Sequence, residues 1–380
     1  MLREADEQGE GDPARATLRR AWTRYNLLYQ GTQETFEECL TFMGGLAFRD
    51  QGLDQSICEI ADELIRCCAD DSTGDPWRSL TVPAPRETVT KTLAKIIRLR
   101  FQEWTLWTLP FTAHEFGHVV VEEKADDEDL RGFLEEQVGL LEALESGDAG
   151  SEGERRERAE AHVKEFLADA FATYTMGPAY PCAGILLRFD PSAPEGRDPR
   201  QPHSGKRARV ALEMLRAMDA QAGTSPYAAV IGILEKRWED ALGRMGSAAA
   251  LPSAYLQWLE GFVARISDVF YLVIRPSARY PYTGDRGWLV ADQWHRTWRR
   301  QLEDGEELYV DATAQDKLCD VLNAAWLCRL FKPPGARDRE IERAAYDLCK
   351  RIIDRRRRPA RTRRGRGRSV QQKGAGKGAR

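Results

Sequence analysis

Histidine is scarce in this chain, with five residues in 380, and long apolar runs are missing. The nearest approach to a membrane-length span, Trp104 to Val121, is interrupted by Pro110, His114, Glu115 and His118. Asp268 to Ile274 is far too short to cross about 30 Å of hydrocarbon, so no transmembrane helix is expected. The first thirty residues are charged and lack the apolar segment of a secretory signal. No C-x-x-C pair occurs among the eight cysteines. Cys58, Cys67 and Cys68 fall in one amphipathic helical pattern and Cys319, Cys328 and Cys349 in another, so all are expected to be reduced and mostly structural. Together these absences point to a soluble, cytoplasmic protein without membrane association. Strand signals are also few, Glu307 to Val310 being the only brief one, and no internal repeat stands out.

Helical periodicity fills the space that strands leave. Apolar residues at three- and four-residue intervals predict helices at Ala14 to Tyr29, Glu34 to Phe48 and Leu53 to Ala69. A loop at Pro76 to Pro85 and a long helix from Glu87 to about Thr108 follow. Beyond a proline-rich loop at Asp190 to Gly205, helices are predicted at Arg207 to Asp219, Pro226 to Met245, Ser253 to Ile274, Trp288 to Leu302, Ala314 to Phe331 and Asp338 to Arg355. The fold class is therefore mainly α. Trp258, Trp288, Trp294 and Trp298 enrich the second half in aromatics, for which core packing is the ordinary explanation.

Two of the five histidines stand in His114-Glu115-Phe116-Gly117-His118. A helix turns about 100° per residue, so both imidazoles project from one face and can reach one cation. Glu115 points beside that cation, where its carboxylate can take a proton from a zinc-bound water and pass it to a leaving amine. Pro110 suits the first turn of this helix, where its missing N–H costs nothing. A catalytic zinc needs a third protein ligand and leaves its fourth position to water. The stretch His162 to Ala172 is a second core-facing helix, with Glu165 and Asp169 on one face. Glu165 is assigned to the metal, and Asp169 to the free ring N–H of a ligand histidine. His162, on a similar face, is the rival third ligand. A closed structural zinc site would recruit cysteine, and none lies near either motif.

HExxH followed on a later helix by ExxxD resembles the gluzincin branch of the zinc metallopeptidases. The run EFLADAFATY is similar to that of intracellular bacterial members. The resemblance covers roughly residues 100 to 215. It implies a zincin-like helical core with His114, His118 and Glu165 as ligands of Zn2+, Glu115 as general base and Asp169 as support for a ligand histidine. The 46 residues between His118 and Glu165 are a long separation for this group. Their acidic, helix-like stretch and Gly-Ser-rich linker, an insert over 122–153, read as an excursion at the rim of the cleft. Donors for the oxyanion of a tetrahedral intermediate are sought in Tyr174, Tyr180, and His203 with Arg207 and Arg209. Of these, His203 is taken as the catalytic candidate, while the tyrosines read as core.

These readings divide the chain into an N-terminal helical region (1–86), a zinc metallopeptidase core (87–220), a C-terminal helical region (221–349) and a basic tail (350–380). The tail holds 14 lysines and arginines against one acid, a balance of +13 beside −17 for the preceding residues. Such a glycine-rich, like-charged segment is expected to be disordered. RRGRGR resembles RNA-contacting arginine-glycine segments, so nucleic acid or an acidic partner is one expected ligand of the tail, and the chain's own acidic body is another. The expected function is a zinc-dependent endopeptidase acting on a protein substrate. The alternative is a non-catalytic zincin-like module that tethers nucleic acid or a protein through its tail.

Overall fold

Helix formers and amphipathic periods recur throughout the chain, and the computed structural model is mostly helical. It describes residues 13–72, 81–84, 88–90, 96–100, 105–124, 126–145, 150–192, 202–246, 251–273, 282 and 288–357. Before the HEFGH motif lie α1 (Pro13–Asp50), α2 (Ile57–Ser72) and three strands, β1 (Thr81–Ala84), β2 (Thr88–Thr90) and β3 (Ile96–Arg100). Then come α3 (Phe111–Glu123), α4 (Glu128–Leu144), α5 (Glu152–Met176) and the short α6 (Ala179–Ala183). The remaining helices are α7 (Ser204–Ala222), α8 (Ala228–Met245), α9 (Ser253–Val273), α10 (Trp288–Asp304), α11 (Leu318–Phe331) and α12 (Asp338–Arg357). From α7 onward each helix begins and ends within four residues of its expected bounds. Among the described residues no helix is long and apolar enough to cross a membrane. All eight cysteines are free thiols, and Trp258, Trp288, Trp294 and Trp298 are buried in the core.

Several expectations are corrected, the first being the loop at Pro76 to Pro85, whose residues Thr81–Ala84 form strand β1. The long helix from Glu87 is instead part of a small sheet of order β1-β3-β2, with β1 parallel and β2 antiparallel to β3. The β-branched residues of Thr88-Val89-Thr90 and Ile96-Ile97 favour extended backbone, and pairing of Val82 with Arg98 and Val89 with Ile97 overrides the helical period. Pro83 is tolerated on β1 because that strand lies at an edge. The segment Glu307 to Val310 is not a strand: it has no regular structure, and the Gln301 side chain makes two hydrogen bonds with the backbone of Tyr309 (2.9 and 3.0 Å). The first two of the three expected N-terminal helices are one, α1, since Gly31 alone does not break a helix. Finally, the segment from Lys350 to Arg357 is the end of α12, with Cys349, Ile352 and Ile353 buried. Lys350 and Arg357 pair with Glu59, and Arg356 with Glu63, on α2. The rest of the basic tail, residues 358–380, lies outside the described residues.

The acidic insert is no excursion either. Asp127 caps α4 by accepting from the N–H groups of Asp129 and Leu130. Leu130, Phe133, Val138 and Leu141 then bury one face of the helix, where Phe133 meets Phe262 of α9. A capping box between Ser151 and Glu154 starts α5, which runs 25 residues to Gly177.

Helices α3 and α5 pack closely at the site. A Cβ on Gly117 would stand 3.1 Å from the Cα of Ala168, so the two backbones nearly touch at that point. Gly117 belongs to the HEFGH motif and Ala168 sits between Glu165 and Asp169, so this contact draws both motifs to one place.

The end of α5 is fixed by α11. Buried Asn323 accepts from the N–H of Ala179 (2.9 Å) and donates to the carbonyl of Met176 (2.7 Å), clasping the turn at Gly177-Pro178. Gly177 adopts φ 59°, ψ −145°, a region open to glycine alone, with the Tyr282 ring packed against it. Gly177→Ala is therefore expected to lower stability by about 3 kcal/mol, through backbone strain and collision with that ring. Urea denaturation read by tryptophan fluorescence checks this, and an unchanged midpoint refutes it.

Candidate metal centre

Three side chains from α3 and α5 converge. His114 and His118 lie one turn apart on α3, and Glu165 reaches them from α5, with one ligand atom of each within 4.8 Å of the others. The two Nε2 atoms are 3.3 Å apart. His114 Nε2 stands 3.5 Å from Glu165 Oε2, and His118 Nε2 stands 3.4 Å from Glu165 Oε1. Metal–ligand bonds of 2.0–2.1 Å in a tetrahedron require ligand atoms about 3.3 Å apart. The donor set and its spacing therefore fit a metal ion with three protein ligands.

Asp169 holds the first ligand in place. It is fully buried, one turn after Glu165, and its Oδ1 lies 3.0 Å from His114 Nδ1. Accepting the Nδ1 proton directs Nε2, as the lone-pair nitrogen, toward the cluster. Asp169 also accepts from Arg207, at 2.8 Å from Nε to Oδ2 and 2.7 Å from Nη2 to Oδ1, and from the hydroxyl of Tyr180. The Tyr180 ring lies parallel to that of His114, at 6.0 Å between centroids, and Phe111 meets it edge-on. Tyr180 occupies this position because α6 begins at the turn that Asn323 clasps.

The electrostatics follow from burying two carboxylates and one guanidinium together. Burial alone would raise the carboxyl of Glu165, but Arg207 and the two histidines hold it well below the usual range. The same contest lowers Asp169, with Arg207 the chief opponent of burial. Burial and Arg207 oppose protonation of His114, yet hydrogen bonds to Asp169 and Glu165 outweigh them and push its pKa up to about 9.

Each remaining candidate has a definite place. Glu115 is buried on α3 beside His114 and stands outside the three-ligand cluster. His162 is 3.7 Å from Glu145 at the end of α4, which also receives Lys206 at 2.6 Å. The rival third ligand is thus turned to a different carboxylate. His203 caps α7, its Nδ1 accepting from the N–H of Gly205 at 2.8 Å. The cation that this segment sends to the cluster is Arg207, one turn later, with Nη1 3.4 Å from Glu165 and Nη2 3.3 Å from His114 Nε2. Arg209 pairs with Glu213 at 2.7 Å, and Tyr174 packs on Phe270. The sequence named Arg207 only as a neighbour of His203 and took Tyr180 for core. No local spacing marks either residue, since both reach the cluster through tertiary contacts with Asp169. Compared with protein-family models, curated proteins and solved structures, the chain matches none.

Proposed function

We propose that this chain is a zinc-dependent endopeptidase with a zincin-like core, hydrolysing peptide bonds of a protein substrate in the cytoplasm. The observation that carries the reading is the convergence of His114, His118 and Glu165 at tetrahedral spacing, with Glu115 next to the first histidine. Histidine and carboxylate donors favour zinc, and the cluster has three protein ligands among the described residues, the number of a reactive rather than a closed site.

Zinc held there by His114, His118 and Glu165 would supply Lewis acidity and would bring the pKa of a water molecule to near ~7. Glu115 accepts the proton of the attacking water and delivers it to the departing amine. Asp169 keeps His114 in the tautomer that offers Nε2. Arg207, held by its two bonds to Asp169, would contribute fixed positive charge beside the cluster.

Purified chain is expected to hold about one zinc per molecule and to cleave an unstructured protein such as casein. His114→Ala should remove both metal and cleavage, and a chelator should stop cleavage that added zinc restores. Elemental analysis beside a digestion assay checks this. Cleavage that survives complete metal removal sinks the proposal.

A further inference from the structure

The N-terminal part of α1 carries an apolar face that is exposed among the described residues. Every described side chain from Thr17 to Gln33 is exposed, on all sides of the helix. Leu18, Trp22, Tyr25, Tyr29, Phe36 and Met43 are nevertheless between 54 and 70% exposed. Their steps of four and three, with Thr32 and Cys39 at the intervening positions, are the seam of a coiled coil. Trp22, Tyr25 and Tyr29 stack along it, with centroids 5.2 and 6.2 Å apart. A helix solvated on every face gains nothing from burial and is marginal alone, so the seam calls for a partner helix.

Charge along the same helix says which partner. From residue 13 to 33 its only charged residues are Arg15, Arg19, Arg20 and Arg24, and from 34 to 48 they are Glu34, Glu37 and Glu38. Two copies side by side in parallel would set base on base and acid on acid. Two copies antiparallel set the basic half of each on the acidic half of the other, crossing near Tyr29 or Gln30. Area agrees. A covered aromatic ring buries about 150–250 Å2, so the exposed parts of four rings come to roughly 500 Å2. With Leu18, Leu40 and Met43 the face approaches the ~800 Å2 that each partner gives a stable interface.

We infer that α1 pairs with the α1 of a second copy of this chain, antiparallel, through the Leu18-to-Met43 seam. The inference does not depend on the peptidase reading. Sedimentation equilibrium of the full chain at about 50 μM should give twice the monomer mass. Trp22→Glu/Phe36→Glu should give monomers that still hold the metal content of wild type. Arg19→Glu/Arg20→Glu/Arg24→Glu leaves the seam intact but reverses three of the four basic residues of the N-terminal half, and should weaken the dimer at least tenfold at low salt. A parallel dimer would be insensitive to that reversal, since it exchanges one like-charge contact for another. A monomeric wild type, a dimer that survives the seam variant, or a dimer indifferent to the reversal each overturns the inference. So does a wild type that stays monomeric and instead binds vesicles of anionic phospholipid through this helix.

Discussion

Glu115→Gln is expected to reduce peptide hydrolysis by 10^2- to 10^4-fold while leaving the fold and the zinc content as they are. The amide has the shape of the carboxylate, so the buried position on α3 accepts it. His114, His118 and Glu165, which would hold the metal, are untouched. What the amide cannot do is take a proton. Turnover of a fluorogenic peptide and elemental analysis of the same sample separate the two effects. A comparison of cellular cleavage products between wild type and this variant would also name the substrate. Proteolysis at the wild-type rate would falsify the role given to Glu115, even if zinc is bound.

Asp169→Ala should be the most damaging single change to stability, at about 3–5 kcal/mol. Asp169 is the acceptor for Arg207, Tyr180 and His114, all within the core. Removing it takes away both short bonds of the partly buried guanidinium, leaving it the 3.4 Å contact with Glu165, and deprives Tyr180 and His114 of their acceptor. The same change frees the His114 ring to rotate, and metal affinity should fall roughly 10- to 100-fold. Asp169→Leu/Arg207→Met removes both charges at once and should recover much of the lost stability without recovering metal affinity. Denaturation midpoints and zinc titration of the two variants distinguish charge burial from ligand positioning. A single variant as stable as wild type, or a double variant no better than the single, refutes this account.

The two metal motifs were legible because their chemistry is local. Histidines four apart on a helix must share a face, and an acid four residues from another must do the same. Arg207 was not, because nothing in sequence spacing shows that the first turn of α7 lands on Asp169, 38 positions earlier. The sheet was missed for a related reason. Leu93, Ile96, Ile97 and Leu99 fit a helical period as well as a strand, and only pairing with Thr81 to Ala84 decides between them. In α1 the apolar period was correctly helical, but burial inside the chain does not follow from periodicity: the pattern is the same whether the covering surface is the molecule's own core or another helix.

The Asn323 clasp has a consequence for the order in which the molecule is made. His114, His118, Glu165, Asp169 and Arg207 have all left the ribosome well before residue 323 is synthesised, yet the turn that presents Tyr180 to them is pinned by that later asparagine. A chain stalled or clipped before α11 carries every ligand and lacks the strut that seats them. The arrangement of Tyr180 against Asp169 and His114 is therefore completed only late in translation, after α11 has been made.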